Sequence, residues 1–115
     1  MAESTILKKS FEFALVIISL YQQLQAEREY VISKQLLRSG TSIGANVEDA
    51  VAAQSRKDFL SKMSIASKEA RETLYWLRLL QASSLTNLNV NAQIQSANEL
   101  VRILTSIVET TQEKP

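Results

Sequence analysis

Apolar residues recur three and four positions apart along most of this 115-residue chain. Side chains with this spacing share one face of an α-helix, because each residue turns the chain by about 100° around the helix axis. The pattern predicts four helices, from about Ser4 to Gln25, Tyr30 to Ala53 and Arg56 to Ala82, and from a start between Asn89 and Asn91 onward. The only proline is Pro115, so no proline interrupts these helices.

The predicted helices are amphipathic and are joined by short polar connections. Short connections favour antiparallel packing of consecutive helices. A chain of this length can bury one compact core but is too short for two domains. We therefore predict an all-α, antiparallel up-down-up-down four-helix bundle that forms a single domain over residues 1–115.

The first and fourth helices have more apolar surface than one neighbouring helix can cover. The first helix carries a stripe of Leu7, Phe11, Ala14, Ile18 and Tyr21 beside a stripe of Ile6, Phe13, Ile17, Leu20 and Leu24. The fourth carries Ile94, Ala97, Val101, Leu104 and Val108 beside Leu100, Ile103 and Ile107. A surface helix typically has one apolar stripe of roughly 100°. The excess predicts that copies of the chain associate, with Phe13 and Ile17 in the oligomer interface.

The second helix contains both glycines of the chain, Gly40 and Gly44. Each glycine inside a helix costs roughly 1 kcal/mol relative to alanine, so the pair indicates close packing of another helix; a helix break is the alternative. Arg38, Ser42 and Asn46 follow one another at intervals of four residues. They predict a hydrogen-bonded seam between helices or subunits, because an unpaired buried amide costs about 1–3 kcal/mol.

The outer surface of the third helix is basic. Within roughly 80° of arc it carries Lys57, Lys68, Arg71 and Arg78, with Ser64 and Tyr75 between them. Cations release counterions from a phosphate backbone, and an aromatic ring can stack on an unpaired base. These residues are therefore candidates for nucleic-acid binding, with Lys34 and Arg38 as weaker candidates. The alternative is an ordinary solvated face.

The flank of the same helix carries Ile65, Trp76 and Leu79 next to Glu69 and Glu72. An indole ring surrounded by aliphatic side chains and carboxylates is typical of an interface anchor with a polar rim. We assign Ile65, Trp76 and Leu79 to the oligomer interface. The alternative is that Trp76 covers an edge of its own bundle.

The chain lacks cysteine and histidine, which excludes Ser-His and Cys-His nucleophile pairs and removes the commonest metal ligand. Glu69 and Glu72 resemble the carboxylates of di-iron bundles, but those sites require Glu-x-x-His motifs. We expect a non-enzymatic protein without metal or cofactor, and a small metal-dependent enzyme is the remaining competitor. No segment approaches ~20 consecutive apolar residues, and Glu3 and Glu12 are unlike a secretory signal, so we expect a cytoplasmic protein.

The segments QLLRSGTSIGAN at residues 35–46 and SRKDFLSKMSIASKEARETLYWL at residues 55–77 carry a family resemblance. They resemble the small bacterial four-helix-bundle proteins encoded in 23S rRNA intervening sequences, whose members include the accessory variability determinants of diversity-generating retroelements. The resemblance implies that copies of the chain assemble into a homo-oligomeric ring, a homopentamer. For the retroelement members it also implies binding of a reverse transcriptase and its template RNA.

Two functions follow from this resemblance and from the charge pattern. The first is an oligomeric accessory protein that binds nucleic acid and a reverse transcriptase in a diversity-generating retroelement. The second is an intervening-sequence-type bundle that acts as a protein scaffold without nucleic acid. The net charge is only +1, but residues 31–82 carry eight basic and five acidic side chains, so a local basic surface is permitted.

Overall fold

The computed structural model describes residues 2–113, in which all regular secondary structure is helical. The helices are α1 (Ala2–Ala26), α2 (Ile32–Val51), α3 (Arg56–Ala82) and α4 (Asn91–Glu113). These bounds confirm the predicted all-α class and each predicted helix, although α2 is shorter at both ends than expected. The Ser55 hydroxyl accepts a hydrogen bond from the backbone N–H of Asp58 at 3.0 Å and caps α3.

The helices form one elongated bundle with extents of 49 × 21 × 21 Å. Each helix packs against its neighbour in sequence, and α4 closes the bundle against α1. Because the connections are short, consecutive helices run antiparallel, as expected for an up-down-up-down bundle. Packing between α1 and α4 is the sparsest of the four helix pairs, and the ion pair between Lys9 and Glu99, at 3.3 Å, crosses that seam.

The core contains the inner stripe of every helix. Its large buried side chains are Ile6, Phe13, Ile17, Leu20 and Leu24 of α1, Leu36, Ile43 and Val47 of α2, Met63, Leu77 and Leu80 of α3, and Leu100 and Leu104 of α4. Phe13 is 3% exposed and Ile17 is fully buried. Their predicted place in an oligomer interface is therefore wrong, because both side chains are buried in the core of their own chain.

The surplus apolar surface lies on α1, on the side that carries Phe11 and Ile18 of the other predicted stripe together with Leu15, which neither predicted stripe contained. Phe11 is 62% exposed, Leu15 54% and Ile18 37%. These three residues are spaced four and three apart and form what we call the α1 apolar stripe. The two apolar stripes of α4 are partly covered by two helices, α1 and α3, so among the described residues no large apolar side chain of α4 is mainly exposed.

Both glycines of α2 face α1. A Cβ on Gly40 would lie 2.9 Å from Cγ2 of Ile17, which is too close for a real contact, whereas a Cβ on Gly44 would lie 3.5 Å from the backbone oxygen of Ser10. The predicted close approach of another helix is confirmed, and the partner is α1. Because α2 continues through both glycines, the alternative of a helix break is wrong.

The turn between α1 and α2 is built around a buried carboxylate. Arg28 adopts a positive φ of 64°, and Glu29 is 8% exposed. The Glu29 carboxylate accepts hydrogen bonds from the backbone N–H groups of Val31 and Ile32, both at 3.1 Å, and of Ser33 at 2.7 Å. These are the groups that an α-helix leaves without partners at its N-terminus, so Glu29 caps α2.

Candidate nucleic-acid interface

The seam between α2 and α3 is held by a connected set of polar side chains. Arg38 forms ion pairs with Glu69, at 3.3 Å, and with Glu72. The Ser42 hydroxyl donates to Glu69 at 2.9 Å, and the Asn46 amide donates to the backbone oxygen of Ser42 at 2.8 Å. Arg38 and Ser42 thus connect α2 to α3 within one chain, as predicted, whereas the hydrogen bond of Asn46 stays within α2. Two carboxylates compensate the charge of Arg38, and its role as a weaker candidate for phosphate contact stays a prediction.

Four cations lie along the outer surface of α3, and we call Lys57, Lys68, Arg71 and Arg78 the α3 cationic row. All four are exposed. Within residues 2–113, no carboxylate lies within ion-pair distance of any of them. The structure therefore places the predicted cations together on one face and leaves their charges uncompensated. Lys34 is also exposed, but it lies on α2 and outside this row.

Arg71 connects this surface to the neighbouring helix. Its Nη2 donates a hydrogen bond of 2.9 Å to the hydroxyl of Thr105 on α4. Arg102 is exposed and precedes Thr105 by three residues, so it lies one helical turn away on α4. Arg102 is thus a candidate for extending the cationic surface across the α3–α4 seam. Sequence reasoning missed it, because the spacing of residues within one helix does not reveal which residues of the next helix lie alongside.

Tyr75 lies among the cations of the row and is 51% exposed. It follows Lys68 by seven residues and Arg71 by four, and it precedes Arg78 by three, so all four share one helix face. Its ring meets the indole of Trp76 edge-on, with ring centroids 5.2 Å apart and an interplanar angle of 62°. An accessible ring therefore lies between positive charges.

Trp76 is half-buried against the core at the edge of the α2–α3 seam. Its indole N–H donates to a Glu72 carboxylate oxygen at 2.9 Å, the same oxygen that pairs with Arg38. Trp76 thus has partners within its own bundle, as the alternative interpretation expected. Ile65 is exposed and Leu79 half-buried on the same flank, and their assignment to an oligomer interface stays a prediction.

One cleft of the surface is lined by none of the four cations of the α3 cationic row. This cleft lies at one end of the bundle and is lined by the apolar side chains of Phe59 and Ile107 and by the polar side chains of Glu3, Arg56 and Thr111.

Among residues 2–113, no three carboxylates converge in a way that could hold a metal ion. Within the same residues, none of the helices has the length and hydropathy needed to cross a bilayer.

The sequence model described as 23S rRNA-intervening sequence protein matches residues 2–106. The chain is also similar to a crystal structure from Bacteroides thetaiotaomicron, that of a protein of unknown function from the S23 ribosomal protein family. That similarity has a TM-score of 0.87 and 44% sequence identity, and it covers 95% of this chain and 99% of the other. No curated protein is significantly similar to this sequence.

Proposed function

This chain belongs to the 23S rRNA-intervening sequence protein family, and from this premise we propose that it is a non-enzymatic, cytoplasmic accessory protein that binds nucleic acid as a homo-oligomer. Its specific role is to partner a reverse transcriptase of a diversity-generating retroelement and to hold the template RNA. The α3 cationic row contacts phosphates. The ring is a homopentamer.

The observation that carries this proposal is the lack of carboxylate partners along the α3 cationic row. Two cations at seams between helices, Lys9 and Arg38, form ion pairs with Glu99 and Glu69. Lys68 and its neighbours on α3 have no such partners among residues 2–113. Unpaired exposed cations can replace the counterions of a phosphate backbone at little cost, which is the main source of affinity for nucleic acid.

Assembly of several copies supports the same function. The α1 apolar stripe has no covering partner within residues 2–113, and contiguous exposed apolar side chains mark interaction surfaces. In a ring with cyclic symmetry, every copy would present its own cationic row. A strand that engages several rows gains effective affinity at each further contact, which offsets the small net charge of a single chain.

The second candidate is a scaffold that binds another protein and no nucleic acid. It is favoured by the net charge of only +1 and by the exposed apolar side chains Phe11, Leu15 and Ile65. An adjacent reverse-transcriptase gene with a pair of near-identical repeats would support the retroelement role. A gene embedded in a ribosomal RNA operon would support the scaffold.

The binding experiment measures retention of a labelled RNA by the purified full chain across a salt series. We expect binding that weakens steeply with salt and that falls further in the double variant Lys68→Glu/Arg71→Glu. The control, Lys8→Glu/Arg28→Glu, changes the net charge equally on exposed residues outside the row. No binding at low salt would favour the scaffold over the nucleic-acid function. The same loss in both double variants would place RNA binding outside the α3 cationic row.

A further inference from the structure

We infer that the α3 cationic row selects an unpaired strand over a duplex and that Tyr75 is the platform on which a base of that strand stacks. The inference rests on the proposed nucleic-acid function and adds the class of nucleic acid. It also assigns positioning roles to Trp76, Glu72 and Arg38, none of which touches the strand.

The position of Tyr75 within the row is the first observation that supports base stacking on its ring. Lys68 and Arg71 lie on one side of it along α3 and Arg78 on the other, within a length of about 15 Å at 1.5 Å per residue. A strand that follows the helix would thus have phosphates held on both sides of the ring. The ring itself is half exposed, so part of its surface is accessible to a base.

A series of side-chain contacts orients the Tyr75 ring in the protein without bound nucleic acid. Arg38 and the Trp76 indole N–H share one oxygen of Glu72, and the indole meets the Tyr75 ring edge-on at 5.2 Å. Edge-to-face aromatic pairs are attractive beyond their buried area. Because the Tyr75 side chain is already ordered, it loses less conformational entropy on binding. These contacts therefore raise the affinity of the protein for the unpaired strand.

The geometry of the two nucleic-acid forms explains the selectivity. In a duplex, base faces are covered by their neighbours in the stack, and the deep, narrow major groove of an RNA duplex does not admit side chains. The outer surface of α3 would then contact only phosphates and sugars. An unpaired strand offers base faces as well, so only this form can use Tyr75.

The test compares three RNAs of equal length with the assembled full chain: an unpaired strand, the corresponding duplex and a strand with abasic positions. We expect the unpaired strand to bind most tightly. The Tyr75→Ala change should weaken its binding by about 5- to 150-fold. The same change should leave the abasic strand and the salt dependence unaffected, and Tyr75→Phe, which keeps the ring, should behave as the original chain.

The positioning role of Glu72 has a matched pair of variants. Glu72→Gln and Glu72→Ala remove the same charge, but only glutamine retains an oxygen that can accept the Trp76 indole N–H. We expect Glu72→Ala to reduce the preference for the unpaired over the abasic strand by several-fold, and Glu72→Gln to retain it. Damage to the fold would instead weaken the binding of both strands by a similar factor.

The outcomes separate this inference from the function on which it rests. Absence of binding to all three RNAs would overturn the nucleic-acid function and the inference with it. Salt-sensitive binding that is equal for the unpaired and abasic strands would overturn the inference alone, as would equal or tighter binding of the duplex. The inference alone would also be overturned if Tyr75→Ala weakened the binding of all three RNAs by the same factor.

Discussion

Gly40 of α2 packs directly against Ile17 of α1, so that a Cβ added to the glycine would lie 2.9 Å from Cγ2 of the isoleucine. The isoleucine is fully buried and branched at Cβ, so it has little freedom to move aside. The contact fixes the distance between the two helices. It also explains why α2 tolerates a residue that weakens an isolated helix.

The two glycines provide a matched test of this contact. We expect Gly40→Ala to lower the free energy of unfolding by about 1–3 kcal/mol, because overpacking outweighs the gain in helix propensity. Gly44→Ala meets Ser10 at an ordinary 3.5 Å and should be neutral or stabilising by up to ~1 kcal/mol. Urea unfolding at one protein concentration measures both. Equal effects would show that Ile17 does not limit the approach of α1.

The capping carboxylate gives a second prediction about stability. Glu29→Ala removes the acceptor of three backbone N–H groups and should lower the free energy of unfolding by about 1–3 kcal/mol. The control is Glu48→Ala, which removes an exposed carboxylate from α2, the helix that Glu29 caps. It should change the free energy of unfolding by less than about 0.5 kcal/mol. Similar midpoints of thermal unfolding for the two variants would argue against the cap.

The hydrogen bond between Arg71 and Thr105 leads to a prediction about Arg102. If α4 contributes to the interface, Arg102→Gln should remove one phosphate contact and reduce the slope of log affinity against log salt by about 0.7 for an unpaired strand. The measurement is a salt titration of RNA binding. Lys8→Gln is the control, since it removes one exposed charge from α1. An unchanged slope for Arg102→Gln would confine the interface to α3.

The seam between α2 and α3 gives a prediction that separates structural and binding roles. Ser42→Ala leaves Glu69 with Arg38 as its remaining side-chain partner across the seam and should cost about 0.5–1.5 kcal/mol of stability. It should leave the salt slope of RNA binding unchanged, because no cation is lost. Chemical unfolding and the salt titration of the same variant check both statements. A reduced slope would place the seam in the binding surface.

Much of this molecule could be predicted from the order of its residues. Helical periodicity gave the four helices, the Ser55 cap is local, and the interval of four residues between Arg38, Ser42 and Asn46 indicated the seam. These features are set by neighbours within one or two helical turns. For the same reason Lys68 and Arg71 could be placed on one face before any fold was known.

The rest depends on how helices pack. Both stripes of α1 are similarly apolar, so only the bundle decides that Ile17 is buried and Ile18 exposed. The cap at Glu29 requires a turn with positive φ at Arg28, which the residue types alone do not specify. Arg102 joins the candidate interface through the alignment of α3 with α4, and that alignment is a property of tertiary packing.

The most direct measurement is the mass of the purified protein by light scattering coupled to size exclusion. If copies assemble through the α1 apolar stripe, we expect five times the 12.9 kDa chain mass and a shift toward a single chain in Phe11→Ser/Leu15→Ser. Serine at both positions leaves the core residues untouched, so helicity by circular dichroism should be retained. A well-folded original chain that stays at 12.9 kDa at working concentration would contradict the proposed assembly and the multivalent surface built on it.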